Sequence, residues 1–422
     1  MPLVAAVRSN TGTHMARAGI GKTPMEAQLA AAAADLPEDI HAEILARLPA
    51  RSVLRFRSVC RAWRRITTEP RFLAAHARLR PAEVVLYMCL DSAQRENRSP
   101  ARLVHYPHYH VTDPPEPWRA SMPQHCLLLA SCDGVLLFSM DAGSYLLCNP
   151  ITRQLAALPK ITGAGVISEY AFYFHEPSGE HRLLCAHRAS AAGGGGKTTA
   201  WCVLSTGAAG PRRVVVDTPA ADGLGVLGLR DTGDQATPVP LHGRLHWPPR
   251  RDAVRREVVV VAFDAVAETF HAMAGPRVAA AAAALIVKLF AMDGLLVAAD
   301  FGEAKHVDLW FLADYGAADG RWERRHRVAT PWVSSWNSCL GTADLKATAA
   351  AGDDRGNVML ANQHGFCVYN VRTKTLRRVS HVATRSNDVL VSRHVFRESL
   401  VQHRGFRQAR SSADLPLIHF WR

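Results

Sequence analysis

The sequence predicts a small all-α module followed by a large all-β domain, a β-propeller. Three observations carry that prediction. Residues 35–72 hold helix start signals and apolar side chains at helical spacing. From 81 to 403 the texture changes to apolar runs of about four to eight residues, separated by Gly, Pro, Asp and Asn. Within that stretch a glycine-centred phrase returns at intervals of about 50 residues, the mark of a repeated structural unit. The expected domains are therefore 1–34, a flexible alanine-rich lead-in; 35–80, the helical module; 81–403, the β domain; and 404–422, a C-terminal tail.

In the helical module Asp35 can cap a first helix, with Pro37 in its first turn and Glu38 three residues on. Ile40, Ile44, Leu45 and Leu48 then fall at i, i+4, i+5 and i+8, an apolar stripe. Pro49 stops this helix, and Ser52 can cap the next. Val53, Phe56, Val59, Cys60, Trp63 and Ile66 continue the spacing. Three short helices of this size cannot bury all of these side chains by themselves, so the segment needs a partner surface.

The runs VVLYMCL, LLLASCDGVLLF, VVVVAFD, HVDLWFLA and FCVYNVRTKTLRRV read as short strands. Such strands suit a sandwich, a barrel or a propeller, and the length of the stretch favours the propeller. Asp133-Gly134-Val135-Leu136, His242-Gly243-Arg244-Leu245, Asp293-Gly294-Leu295-Leu296 and Arg355-Gly356-Asn357-Val358 mark four copies, with one copy unmarked. A second element recurs at Cys148-Asn149-Pro150-Ile151-Thr152-Arg153, Phe263-Asp264-Ala265-Val266 and Tyr369-Asn370-Val371-Arg372-Thr373. Each copy reads as one antiparallel sheet that must stack on its neighbours, its glycine serving a tight turn rather than a ligand.

Composition narrows the functional class. Of 422 residues 48% are apolar and 21% charged, the balance of a folded globular chain. Nine cysteines stand singly with no CxxC pair, which fits a reducing compartment and thiols used as small core residues. The opening MPLVAAVRSN lacks the pattern of a secretory leader, and the alanine-rich run 278–287 is too short to span a bilayer. A cytosolic or nuclear protein without membrane contact is expected. The net charge of +13 invites a nucleic-acid reading, yet no zinc-finger spacing, RNA-binding aromatic signature or basic zipper accompanies it. Arg47, Arg51, Arg55, Arg57, Arg61, Arg64, Arg65 and Arg71 would suit an acidic protein as well as phosphate.

Motifs for chemistry are weak. Ala16 to Thr23 and Ala191 to Thr198 follow a loosened phosphate-loop pattern, but such a loop needs a strand before it and a helix after it. The first follows a polar tail and the second runs into TTAWCVLS, a strand, so both read as loops. His105, His108 and His110 cluster, as do His181, Cys185 and His187, without the carboxylate or thiol partners a metal site wants near the first group. Trp118, Trp201, Trp247, Trp310, Trp322, Trp332 and Trp336 read as blade packing. No catalytic group, metal or cofactor is expected.

The residue order of the helical module resembles an F-box. The matching positions are Leu36, Pro37, Asp39, Ile40, Ile44, Leu45, Leu48 and Pro49, then Ser52, Val53, Leu54, Arg55, Arg57, Ser58, Val59, Cys60, Arg61 and Trp63. The resemblance implies docking onto the small acidic adaptor of SCF-type (cullin-RING) ubiquitin ligases, and through it onto a cullin. The implied adaptor face is Leu36, Pro37, Ile40, Ile44, Leu45, Leu48, Pro49, Leu54, Val59, Cys60 and Trp63. Some of these must instead pack the helices together, Cys60 among the packing residues, and the sequence does not divide the two sets. The phrases at 131–159, 241–247, 260–273, 308–328 and 394–401 resemble the F-box-associated region of plant F-box proteins, a propeller-type recognition domain. Together they imply a non-catalytic substrate-recognition subunit that holds the adaptor with its helices and an unknown target with its β domain. Two alternatives stand beside it: an adaptor-binding scaffold outside ubiquitination, and a small-molecule binder using the propeller channel.

Overall fold

Four helices precede the sheets in the computed structural model, one more than the apolar spacing predicts: α1 (Glu38–Arg47), α2 (Ala50–Phe56), α3 (Arg61–Ile66) and α4 (Pro70–Leu79). The structure describes residues 36–80, 83–90, 102–107, 118–121, 127–141, 143–162, 166–190, 197–213, 238–251, 257–278, 287–303, 305–316, 320–330, 349–353, 355–362, 365–379 and 387–409. The lead-in 1–34 and its phosphate-loop-like segment lie outside these, as does Asp35. The first helix begins at Glu38 with Pro37 in the capping position and no side-chain cap. Ser52 is not a cap either: α2 starts two residues earlier, because Pro49, which lacks an N–H, already has the backbone angles of a helix entry. The missed helix, α4, has Pro70 at its first position and buries Phe72 and His76. Among the described residues no helix is long and apolar enough to cross a membrane.

The described strands form six antiparallel sheets. Blade 1 contains Glu83–Leu90, Arg102–Pro107 and Trp118–Ser121, with Asn387–Phe396 from the other end of the chain beside the first of these. Blade 2 contains Leu127–Cys132, Val135–Asp141, Ser144–Asn149 and Gln154–Ala157, and blade 3 Val166–His175, Glu180–Ser190, Lys197–Ser205 and Arg212–Arg213. Blade 4 is built on Val239–Leu241, Arg244–His246, Val258–Asp264 and Thr269–Ala274, with Arg250–Arg251 also pairing the third strand. Blade 5 holds Val287–Met292, Leu295–Asp300, His306–Leu312 and Trp322–Ala329; blade 6 holds Ala349–Gly352, Asn357–Asn362, Gly365–Asn370 and Thr375–Val379.

Packing between faces closes the six sheets into a propeller-like ring. Along one strand of blade 4, Val260 packs with Leu289 and Leu296 of blade 5, while Val261 and Phe263 pack with Tyr173 and Leu184 of blade 3. In blade 3 Leu183 and Cys185 turn toward blade 2, and Leu184 and Ala186 toward blade 4. Both faces of a blade are therefore buried, which is why these strands read as unbroken apolar runs instead of alternating ones. Blades 5 and 6 share Val297, Phe311, Val358 and Tyr369, and blade 6 meets the strand Asn387–Phe396 of blade 1. That strand in turn contacts Leu127–Cys132 of blade 2.

Both recurring sequence elements are turns. Asp133-Gly134, His242-Gly243 and Asp293-Gly294 each have two successive positive φ angles, the two-residue hairpin that matches strand twist. The unmarked copy is blade 3, whose hairpin is longer and carries Gly179. The second element joins the last two strands of blades 2, 4 and 6. The side-chain oxygen of Asn149 accepts the N–H groups of Ile151 and Thr152 at 3.0 and 3.1 Å. Asp264 does the same for Val266 and Ala267 at 3.0 and 2.8 Å, and Asn370 for Arg372 and Thr373 at 3.0 and 2.9 Å. Four residues after each, Arg153, Glu268 and Lys374 take positive φ. The repeated feature is thus an Asx turn, which a short polar side chain makes by standing in for a backbone carbonyl.

The last two described strands pair back onto blades 1 and 2. Asn387–Phe396 pairs with Glu83–Leu90 from Glu83↔Phe396 to Leu90↔Asn387. Arg407 and Gln408 lie in the stretch 404–422 expected to be a tail, yet they pair with Leu155 and Gln154 at the outer edge of blade 2. Since α4 leads into Glu83 and Phe396 leads out beside it, the helical module stands where another blade would have its first hairpin.

Two predictions follow from this packing. A Cβ on Gly134 would lie 2.3 Å from the Ser399 Cβ and 2.9 Å from the Arg397 carbonyl, whereas one on Gly294 would meet nothing within 4 Å. Both have positive φ. Gly294→Ala is expected to cost about 1 kcal/mol from backbone strain and Gly134→Ala about 3 kcal/mol, because the strap formed by residues 397–409 must also shift; equal denaturation midpoints for the two variants would contradict this. Second, burial lowers the pKa of His76, His246 and His403 to about 4 and, with His403 as a second cause, that of His181 to about 3. The unfolded chain binds a proton at each below 6.5 while the folded chain does not, so this part of the stability is whole above pH 6.5 and is lost as pH falls toward 4. The melting temperature should drop across that window, and by less in His181→Phe, whose ring can keep the stacking on Phe172.

Candidate functional site

The helical module divides its apolar side chains between two sides. Leu45, Ala46, Ala50, Val53, Ile66 and Phe72 are buried, in one cluster with Leu128, Leu136 and Phe138 of blade 2 and Phe396 and Leu400 of the C-terminal segment. Other apolar side chains of the module are left in water: Leu36 is 43% exposed, Ile40 36%, Ile44 48% and Val59 62%. Ile40 and Ile44 are one turn apart on α1, so they share a face, while Leu45, one residue on, points into the core. Pro37, Pro49 and Cys60 are exposed, and Leu48, Leu54 and Trp63 are half-buried against the cluster. Of the eleven positions singled out in the sequence, Leu45 is the one fully enclosed.

Local interactions set the geometry of the exposed side. Trp63 stands edge-on to Phe56 of α2, ring centroids 5.3 Å apart, and to His41 of α1 at 6.1 Å. It therefore ties three helices together as well as offering surface. Cys60 is not a packing residue. It caps α3, its sulfur accepting the Trp63 N–H at 3.4 Å. Arg65 bridges Glu38 at the start of α1 and Glu69 before α4, and Arg57 donates to the Thr67 carbonyl at 2.7 Å. Burial and the neighbouring Arg64 lower the Arg57 pKa.

The corner between α1 and α2, Leu48 and Pro49, is held from outside. Arg80 donates to the carbonyls of Ala46 and Arg47 at 3.2 and 2.9 Å, and neutral His76 sets its Nε2 3.0 Å from the Leu48 carbonyl. Glu398 accepts the Ala50 N–H at 3.0 Å. None of the three was singled out in the sequence. The helical periodicity of 70–79 could have found His76; nothing local marks Glu398.

The module is strongly basic. Residues 36–80 hold ten arginines against four carboxylates, Glu38, Asp39, Glu43 and Glu69. Glu43 pairs with Arg47, and Glu38 and Glu69 with Arg65. Arg51, Arg55, Arg61 and Arg64 are exposed.

The other candidates resolve into structure. His181 and Cys185 lie on one strand of blade 3, and His181 is buried among Phe172, Phe174, His403 and Phe406. His187, on the same strand, is half-buried. Among the described residues no group of three or more His, Cys, Asp or Glu is placed to hold a metal. His105 lies in a strand of blade 1, while His108 and His110 are outside the described residues. Lys197 and Thr198 open a strand, not a helix, so the second phosphate-loop-like segment has no helix end to offer an anion. Trp247 is buried between blades 3 and 4, and Trp322 donates to the Ala274 carbonyl at 2.8 Å, bridging blades 5 and 4. Trp332 and Trp336 are outside the described residues.

Comparison with known proteins agrees with this division. Residues 34–74 match the model of the F-box domain, and residues 86–403 that of the F-box associated beta propeller domain. F-box protein At3g07870 of Arabidopsis thaliana is 25% identical over 320 residues, 70% of this chain and 73% of that protein. F-box protein At5g18160 of the same plant is 30% identical over 167 residues, 36% of this chain and 40% of that protein. Among solved structures, puromycin hydrolase aligns at 13% identity and a TM-score of 0.36 over 72% of this chain and 48% of its own; likeness at that level says nothing of activity. With both domains matched in order over most of its length, the chain belongs to the plant F-box proteins that carry a C-terminal F-box-associated β-propeller domain.

Proposed function

We propose that this protein is the substrate-recognition subunit of an SCF-type ubiquitin ligase, with no catalytic centre of its own. The helical module, 35–80, docks the small acidic adaptor and through it a cullin, and the β domain, from 81 onward, holds a target protein. The reaction is served by proximity: the target's lysines are kept at high effective concentration near a charged ubiquitin carrier. The chain would work in the cytosol, the nucleus or both.

The observation that carries this reading is the exposed apolar set Leu36, Ile40, Ile44 and Val59 on a base fixed in a core shared with the β domain. Large apolar side chains left in water on a small, well-packed module favour a protein partner. Pro37, Pro49 and Cys60 extend that face, Leu48, Leu54 and Trp63 border it, and Leu45 supports it from beneath. The surrounding arginines favour an acidic partner, since complementary charge speeds encounter and rejects wrong surfaces.

Exposed and buried positions should therefore behave differently. Ile44→Asp leaves the core untouched and should weaken adaptor binding about 100-fold with an unchanged melting temperature, as a charge set into an apolar contact does. Leu45→Ala should instead cost about 3 kcal/mol of folding stability, being a cavity in the shared core. Trp63→Ala should lose about 2 kcal/mol of adaptor binding as a partly buried aromatic anchor. Adaptor and cullin should co-purify with the wild type and not with Ile44→Asp; wild-type affinity in a folded Ile44→Asp protein would refute the assignment of the face. The association rate should also fall about tenfold between roughly 0.1 and 0.5 M salt as the arginines are screened.

A further inference from the structure

Helix α2 begins immediately after Pro49, and its first peptide N–H groups have no acceptor within the helix. Pro49 supplies no side-chain acceptor. The Ala50 N–H is instead met by the carboxylate of Glu398, 348 residues away along the chain. A negative charge at that end of a helix is favoured by the aligned peptide dipoles. At the other side of the corner the guanidinium of Arg80 meets the last carbonyls of α1, where a positive charge is favoured.

Glu398 is not a loose side chain that happens to fall there. Its neighbour Arg397 donates to the Arg80 carbonyl at 3.5 Å, and Ser399 is buried over Gly134. The Ser399 carbonyl accepts from the side chain of Asn149 at 3.1 Å, and Leu400 joins the cluster that holds Leu45, Ala50 and Val53. The strap bearing Glu398 is thus fixed to blade 2 on one side and to the helices on the other.

We propose that Glu398 is a positioning residue for adaptor docking: through its carboxylate the β domain caps α2 and sets the Leu48–Pro49 corner of the docking face. This rests on the adaptor reading above. The docking module is then incomplete without the β domain, and the two are joined at a fixed angle instead of by a tether.

The test uses the full-length chain with Glu398→Ala and Glu398→Gln, and two readouts. These are calorimetric affinity for the purified acidic adaptor and amide hydrogen exchange over 48–53 in the free protein. Glu398→Ala should bind about fivefold more weakly, the usual effect of losing a helix cap, and exchange faster over 48–53 with the β-domain melting temperature unchanged. Glu398→Gln keeps an oxygen that can accept the Ala50 N–H and should bind within about twofold of wild type, since replacing one capping acceptor by another costs little. Wild-type affinity with unchanged exchange in Glu398→Ala overturns the proposal, and so does a loss of binding that comes with melting of the β domain. If the wild-type chain itself does not bind the adaptor, the docking reading fails, and exchange at Ala50 alone decides whether Glu398 holds the corner.

Discussion

The pairing of Asn387–Phe396 with Glu83–Leu90 is the constraint on which the rest of the molecule depends. It brings together residues from opposite ends of the β domain and places the last long strand between blades 6 and 2. A ring of sheets has no free inner face once closed, so each blade can bury both sides against a neighbour. The entropy lost in closing so long a loop grows only slowly with its length, whereas every blade gains buried surface from closure. The same pairing decides where the strap of 397–409 leaves the ring, hence that it crosses blade 2 and ends as that blade's outer strand.

The helical module inherits its geometry from that closure. It enters blade 1 at Glu83, opposite Phe396, and so lies against the strap. Its inward side chains are covered by blade 2 and the strap, while Leu36, Ile40, Ile44 and Val59 stay in water. A module of about 45 residues has too little interior to bury both sets alone. Sharing a core with the β domain buries one set and leaves the other exposed. The arginine excess on the same module sets the sign of its surface charge without deciding the fold.

The repeated glycine phrases were legible in the sequence because a tight hairpin needs positive φ, and only a few residue types adopt it without strain. The Asx turns were visible as a recurring phrase, though their cause, one side-chain oxygen accepting two N–H groups, needed coordinates. The strands were visible as apolar runs because both faces of each blade are buried. Capping is less local than the turns. Ser52 looked like a cap because its residue type and place before an apolar run suggest one, yet Pro49 starts the helix earlier and the acceptor comes from Glu398. Residues 404–409 looked like a tail because two residues of edge strand carry no periodicity. The closeness of His181, Cys185 and His187 in the sequence does not by itself tell a site from a core; the rings of Phe172, Phe174 and Phe406 packed around His181 are what the structure adds.

By itself the sequence determined the two-part organisation, the helical and β periodicities, the places of the tight turns and the F-box motif. These are properties of neighbouring residues, set by backbone sterics and side-chain spacing, so they can be read locally. The tertiary structure alone decided the ring of six described blades, the separation of Ile40 and Ile44 from Leu45, and the capping of α2 by Glu398. Each depends on which surfaces meet across hundreds of residues. Whether an apolar side chain is core or exposed surface is settled by what covers it, and the cover is carried by another part of the chain.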